Sequence, residues 1–235
     1  MPFLKNLKTT ELDKYKKAII PFGATEQHGP FLPLGTDSII MQGILDEVDQ
    51  LDKELVILPN FEITCSQEHS GFRGTCWIST TTFELVLKEV INSISDTFEE
   101  IYLVNCHGGN TETLKKFTSE NPTLNGVKIK YIATVVKEID DILEKHLQGE
   151  IDEHAGNFEI STVLYLQEHL VKIPSQDYPK QKIDMDWAKP VIQQSKTGIV
   201  DNHPNWVISK KLGKDYIKAT ARYIVDFIFI KSKLV

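Results

Sequence analysis

Glu26, His28 and Asp37 fall within one stretch, Pro21 to Asp37, rich in glycine and proline. Glu26 and His28 are two apart, so an extended backbone turns both side chains to the same side. Asp37 returns after Pro30, Pro33 and Gly35, residues that favour a turning path. Two acids and an imidazole on one loop suit a divalent cation such as zinc, manganese or iron(II). A polar loop without a metal has the same composition, and the spacing alone leaves both readings open.

Three more histidines lie in similar settings. His69 sits in a long glycine-containing loop, Thr64 to Trp77, together with Glu68 and Arg73. His107 follows the apolar run 101–104 directly, and His154 lies in the polar segment 152–156. Gly29, Gly108, Gly109 and Gly156 allow backbone to approach a ligand, and N–H groups at Gly108 or Gly109 could stabilise a developing oxyanion. His146 and His169 read as surface residues on helices. His203, beside Pro204 and Trp206, is a weaker candidate for facing substrate. Cys106 precedes His107, but neighbouring strand-end residues point apart, which favours a buried structural thiol over a nucleophile.

These residues need a scaffold that brings their segments together. The apolar runs 18–22, 55–58 and 101–104 read as buried strands, and 127–136 as a strand with one partly exposed stretch. Helical spacing predicts helices over 37–51, 80–98, 111–119, 137–147, 157–170 and 210–231, with a shorter one within 8–16. Thr36 or Asp37 could cap the first of these. Residues 171–205 carry four prolines and form an irregular excursion, possible cover for a pocket or an interface. Trp187 and Trp206 read as packing residues before pocket-mouth residues. Strands alternating with helices predict a single α/β domain over 1–235 with a largely parallel sheet. Ligands collect beyond the carboxyl ends of such strands. Glu26, His28 and His107 should therefore open onto one rim.

The composition is that of a globular chain, 41% hydrophobic and 25% charged, and its 235 residues suffice for one substantial core. A net charge of −7 argues against an extended nucleic-acid surface. Three cysteines without framework spacing point to a reducing cytoplasm. No apolar run approaches the ~20 residues of a membrane span, so no membrane partner is expected.

Four segments, EQHGPFLPLGTD, SQEHSGFRGT, NCHGGN and EHAGNFEIS, occur in this order. Together they resemble the signature segments of the creatininase (creatinine amidohydrolase) family. The resemblance implies a layered α/β/α amidohydrolase with two divalent metals per subunit, zinc foremost and manganese or iron(II) as alternatives. It implies that Glu26, Asp37 and His107 hold one ion, that His28 and Glu159 hold the other, and that Asp37 bridges them. His154 matches the catalytic histidine and Glu153 the acid that orients it. His69, Gly108 and Gly109 would face substrate.

Creatininase proper carries a glutamate ligand two residues after the histidine of the third segment. Here that position is Gly109, which leaves Glu159 as the replacement. Arg73 and Ile160 stand where many relatives have proline and threonine. The His-Gly-Gly-Asn pattern resembles branches acting on other amides, namely formamidopyrimidine deformylases and the peptidase of the mycofactocin precursor. The implied reaction is hydrolysis of a small-molecule C–N amide bond by a metal-bridged hydroxide, in a homo-oligomer, hexameric by resemblance. A mononuclear iron oxygenase using His28, His107 and one carboxylate competes with this reading, as does an inactive metal-binding scaffold.

Overall fold

The computed structural model describes residues 2–51 and 55–230; Lys231, at the end of the expected closing helix, lies outside them. In chain order the elements are β1 (Lys17–Phe22), α1 (Thr36–Leu51), β2 (Leu55–Ile57), α2 (Thr80–Ser93), β3 (Glu100–Asn105), α3 (Thr111–Glu120), β4 (Thr123–Leu124), β5 (Val127–Ile132), α4 (Lys137–Leu147), α5 (Asn157–Leu166), α6 (Val191–Gln194) and α7 (Lys210–Phe229). The sheet order is β2-β1-β3-β5-β4. The first four of these strands run parallel, and β4 turns back antiparallel on β5.

Alternation along the strands builds two cores. Ile19, Ile57, Tyr102, Val104 and Ile132 face the layer that contains α1, α4, α5 and α7. Ala18, Ile20, Val56, Ile101 and Leu103 face the opposite layer with α2 and α3. Burial on both faces is why these strands read as continuous apolar runs. The result is a three-layer α/β/α arrangement. At the α5–α7 contact the backbones approach so closely that a Cβ on Gly213 would overlap the Ser161 carbonyl.

Several boundaries fall short of those the pattern predicts. α2 stops at Ser93, where Ser93 and Ser95 hydroxyls bond to the carbonyls of Val90 and Asn92 and compete with helical pairing. β5 stops at Ile132, whose partner is Val104 near the end of β3, so no neighbouring strand continues the ladder. α5 ends at Leu166, and Glu168–Leu170 forms a separate 3-10 turn. The short β4 arises from a two-residue turn at Asn125-Gly126, both at positive φ.

For the site, the decisive register is Phe22 beside Asn105. It places the exits of β1 and β3 side by side, so the segment 23–28 and His107 leave the sheet at one rim.

Candidate metal centre

β1 delivers Glu26 and His28, the first turn of α1 delivers Asp37, the exit of β3 delivers His107, and the first turn of α5 delivers Glu159. All five are buried. Asn105 fixes the third segment by donating to the His107 carbonyl at 2.6 Å and accepting from the His107 N–H at 3.2 Å. Asn110 ties the loop at 64–65 to the same rim, accepting from Cys65 N–H and donating to the Thr64 hydroxyl.

Two donor groups result, joined by Asp37. Nδ1 of His107 lies 3.4 Å from Oε1 of Glu26 and 3.3 Å from Oδ2 of Asp37. Nε2 of His28 lies 3.5 Å from Oδ1 of Asp37 and 3.7 Å from Oε1 of Glu159. Ligands at ~2.0–2.1 Å from a tetrahedral ion are separated by roughly 3.3 Å, so these spacings suit donors surrounding a cation better than donors bonded to one another. Both carboxylate oxygens of Glu26, Oδ2 of Asp37 and Nε2 of His28 are buried without a hydrogen-bond partner among the described residues. Buried polar atoms rarely stay unpaired, and a cation would satisfy all four.

The ring protons agree with this fit. Nδ1 of His28 meets the Glu26 carbonyl at 3.2 Å, and Nε2 of His107 meets the Cys65 carbonyl at 2.6 Å. A carbonyl only accepts, so each ring donates there and turns its other nitrogen to the carboxylates, the nitrogen whose lone pair a cation would take. Burial alone would lower both histidines. For His28, Asp37 and Glu159 outweigh burial; for His107, Glu26 and Asp37 do, and both rings are held well above the usual imidazole range. Burial raises Glu26 to about 8, whereas for Asp37 it is outweighed by His28 and His107, which hold the carboxyl well below its usual range. The cluster thus demands positive charge.

A cavity of about 910 Å³ opens over the centre. Its lining combines Glu26, Asp37, His107, His154 and Glu159 with the apolar and aromatic residues Tyr131, Val135, Ile139, Leu143 and Phe158. His69 and His154 line it close to Glu26. Nε2 of His69 is 3.3 Å from Oε1 of Glu26, and Nδ1 of His154 is 3.8 Å from the same oxygen. Gly108 lines the cavity with nothing over its Cα, while Gly109 lies beneath Glu68 and the Cys65 carbonyl. Burial pushes the Cys106 thiol well above its usual value, which removes it as a nucleophile at neutral pH.

Glu153 departs from its expected place. Its Oε2 accepts from the Trp187 indole at 2.9 Å, and it is exposed. The His154 ring bonds to the Gln27 carbonyl instead, at 2.8 Å. Glu153 lines the same cavity as His154, with its carboxylate held by Trp187. Trp187 lines the cavity mouth, whereas Trp206 is buried against Phe31 and Tyr178. His203 bonds to the Leu147 and Asn205 carbonyls outside the cavity. Glu112 is paired with Lys115 on the surface. Glu68, 3.4 Å from Nε2 of His107, and Gln27 are site residues that spacing did not single out.

The family model for creatininase, described as creatinine amidohydrolase, matches residues 5–228. The chain belongs to the creatininase family. This creatininase-family chain is 42% identical over 101 residues to the mycofactocin precursor peptide peptidase of Mycolicibacterium smegmatis (strain ATCC 700084 / mc(2)155). That alignment covers 41% of each protein, less than half the length of the relative. Among solved structures, a manganese creatininase superimposes with a TM-score of 0.75 at 19% identity, covering 96% of both chains. A creatininase variant of Zn–Zn type superimposes with a TM-score of 0.73, also at 19% identity and 96% of both chains. At such identity these likenesses establish the creatininase fold alone.

Proposed function

We propose that this protein is a metal-dependent amidohydrolase with two divalent ions per chain, zinc foremost and manganese or iron(II) as alternatives. Glu26, Asp37 and His107 would hold one ion, His28, Asp37 and Glu159 the other. The observation that carries this reading is the set of unpartnered buried donors of Glu26, His28 and Asp37 around one rim. The names of the superimposed neighbours, one a manganese form and one of Zn–Zn type, support the choice of metals. Bound there, the ions would supply an activated water and polarise the substrate carbonyl.

His154 carries the proton traffic. Burial, and then His28, push it down to about 4, so its ring is neutral at pH 7. It therefore begins as a base. Its Nε2 is committed to the Gln27 carbonyl, which leaves Nδ1 to accept the proton lost by the attacking water. The same nitrogen then returns that proton to the departing amide nitrogen, a poor leaving group until protonated. Gly108 lines the cavity with no side chain over it, so its N–H would be available to a developing oxyanion.

The cavity volume favours a substrate larger than a compact cyclic amide. Its apolar lining residues suit an amide carrying a hydrophobic arm, such as a peptide end, in keeping with the name of the 42% identical relative. A reducing compartment accords with three free cysteines, and no described helix is long and apolar enough to cross a membrane. The family resemblance extends the proposal to a homo-oligomer, hexameric, which sedimentation would measure.

The test is a hydrolysis screen of peptides, formamides and cyclic amides with zinc, manganese and iron(II) supplied separately. Amine release that requires metal supports the reading. Metal-dependent oxygen uptake without amine release would replace it with the oxygenase.

A further inference from the structure

Gln27 lies between Glu26 and His28 and is buried. Its side-chain amide has one possible orientation. Oε1 accepts from the Gly29 N–H at 3.0 Å, and a backbone N–H can only donate. Nε2 donates to the Gly198 carbonyl at 3.2 Å, and a carbonyl can only accept. The second proton of that amide has two ring nitrogens in reach, Nδ1 of His69 at 2.8 Å and Nε2 of His154 at 2.9 Å; the latter gives its own proton to the Gln27 carbonyl at 2.8 Å, which leaves Nδ1 of His69 as the acceptor. Nδ1 of His69 must therefore carry a lone pair, and the ring proton sits on Nε2. That Nε2 borders the cavity, 3.3 Å from Oε1 of Glu26.

The backbone of the same residue governs the other histidine. The Gln27 carbonyl lies 2.8 Å from Nε2 of His154, so Nε2 is the protonated nitrogen and Nδ1 faces the centre. With cations bound, His28 and His107 would present lone pairs inward, as His154 does through Nδ1, whereas His69 presents an N–H. This also disposes of Glu26, Glu68 and His69 as a third cation group, although their donors come within 4.8 Å of one another, since His69 offers that group no lone pair.

We propose that Gln27 is a positioning residue that fixes the ring protons of His69 and His154 so that His69 turns an N–H and His154 a lone pair toward the centre, His69 donating to the substrate oxygen while His154 accepts a proton. The proposal rests on the amidohydrolase reading. As the carbonyl oxygen gains charge, the Nε2–H of His69 is a fixed donor whose proton has no competing place on the ring. The excursion at 171–205 secures the device. Gly198 has φ +79°, and a Cβ there would overlap Oε1 of Gln27. Two residues on, Val200 pairs with His154 through both backbone hydrogen bonds. One short segment thus clamps both ends of the pattern.

Neutron diffraction from deuterated, zinc-loaded protein reads the ring positions directly. Wild type is expected to carry deuterium on Nε2 and none on Nδ1 of both His69 and His154. Gln27→Met removes the side-chain donor and keeps the backbone carbonyl. His154 should then keep its pattern, while His69 gains a proton on Nδ1 or rotates. With zinc content unchanged, kcat should fall about 10–100-fold with a smaller change in KM. Gly198→Ala, which displaces the amide from a distance, should reproduce the His69 change.

Deuterium on Nδ1 of His69 in the wild type overturns the proposal, and that map alone decides should either variant fail to fold. An unaltered His69 ring, or an unaltered kcat, in Gln27→Met also overturns it. The maps need no substrate. A wrong pattern therefore removes this proposal alone, whereas a wild type that hydrolyses no amide removes the amidohydrolase reading.

Discussion

His28 and Asp37 approach to 3.5 Å between Nε2 and Oδ1, one from the exit of β1 and the other from the first turn of α1. The second oxygen of Asp37 faces His107 at 3.3 Å. A carboxylate that gives one oxygen to each of two imidazoles is placed to serve two cations. Asp37→Ala should therefore lower metal content from two ions per chain to fewer than one, as measured by elemental analysis after dialysis. Retention of two would remove the bridging role.

His154 makes a different prediction because its ring is anchored through Nε2 to a carbonyl and stands 3.8 Å from Glu26. His154→Ala should keep both ions and lose about 10²–10⁴-fold in kcat, the usual worth of a positioned acid–base group. Parallel metal analysis and turnover measurements check it. Loss of one ion would make His154 a ligand.

The rim was legible because each metal candidate follows a buried strand or opens a helix. Phe22 beside Asn105 then brings β1 and β3 exits together without any detail of side chains. Glu153 does line the cavity beside His154, but its carboxylate is held by the Trp187 indole, a partner 34 residues away that adjacency does not reveal. Gln27 was hidden for another reason. An uncharged amide carries no chemical signature, and its partners His69, His154 and Gly198 are 42 to 171 residues away. Boundaries at Ser93 and Ile132 depend on local hydroxyls and on where a neighbouring strand ends, which periodicity cannot register.

Asp152 yields a pH prediction. Its Oδ1 accepts from the Phe158 N–H at 2.7 Å, and its Oδ2 is buried without a partner among the described residues. Burial, and then Asp201, raise its carboxyl well above 3.8. A group raised in the fold costs stability as pH climbs from the unfolded value toward the folded one, because the unfolded chain releases its proton first. Asp152→Asn keeps the acceptor and has no proton to lose. Its Tm should match wild type near pH 4 and exceed it at pH 7–8, with each ~1 kcal/mol worth about 2–4 °C in a chain of this size. An equal Tm at both pH values would show that Asp152 ionises freely.

Gly213 tests how the helical layer holds the centre. A Cβ there would meet the backbone of Ser161 and Thr162 on α5, atoms that cannot swing aside. Overpacking of this kind costs about 1–3 kcal/mol, so Gly213→Ala should lower Tm by several degrees. Gly35→Ala serves as the comparison, since nothing lies within 4 Å of that position. A shift of α5 would also alter the spacing of Glu159 from His28, now 3.7 Å. Of the two proposed ions, the one assigned to His28, Asp37 and Glu159 should therefore weaken first, leaving the Glu26, Asp37 and His107 group occupied. Stepwise titration of metal into both variants measures this, and equal weakening of both ions would mean that α5 does not transmit the strain.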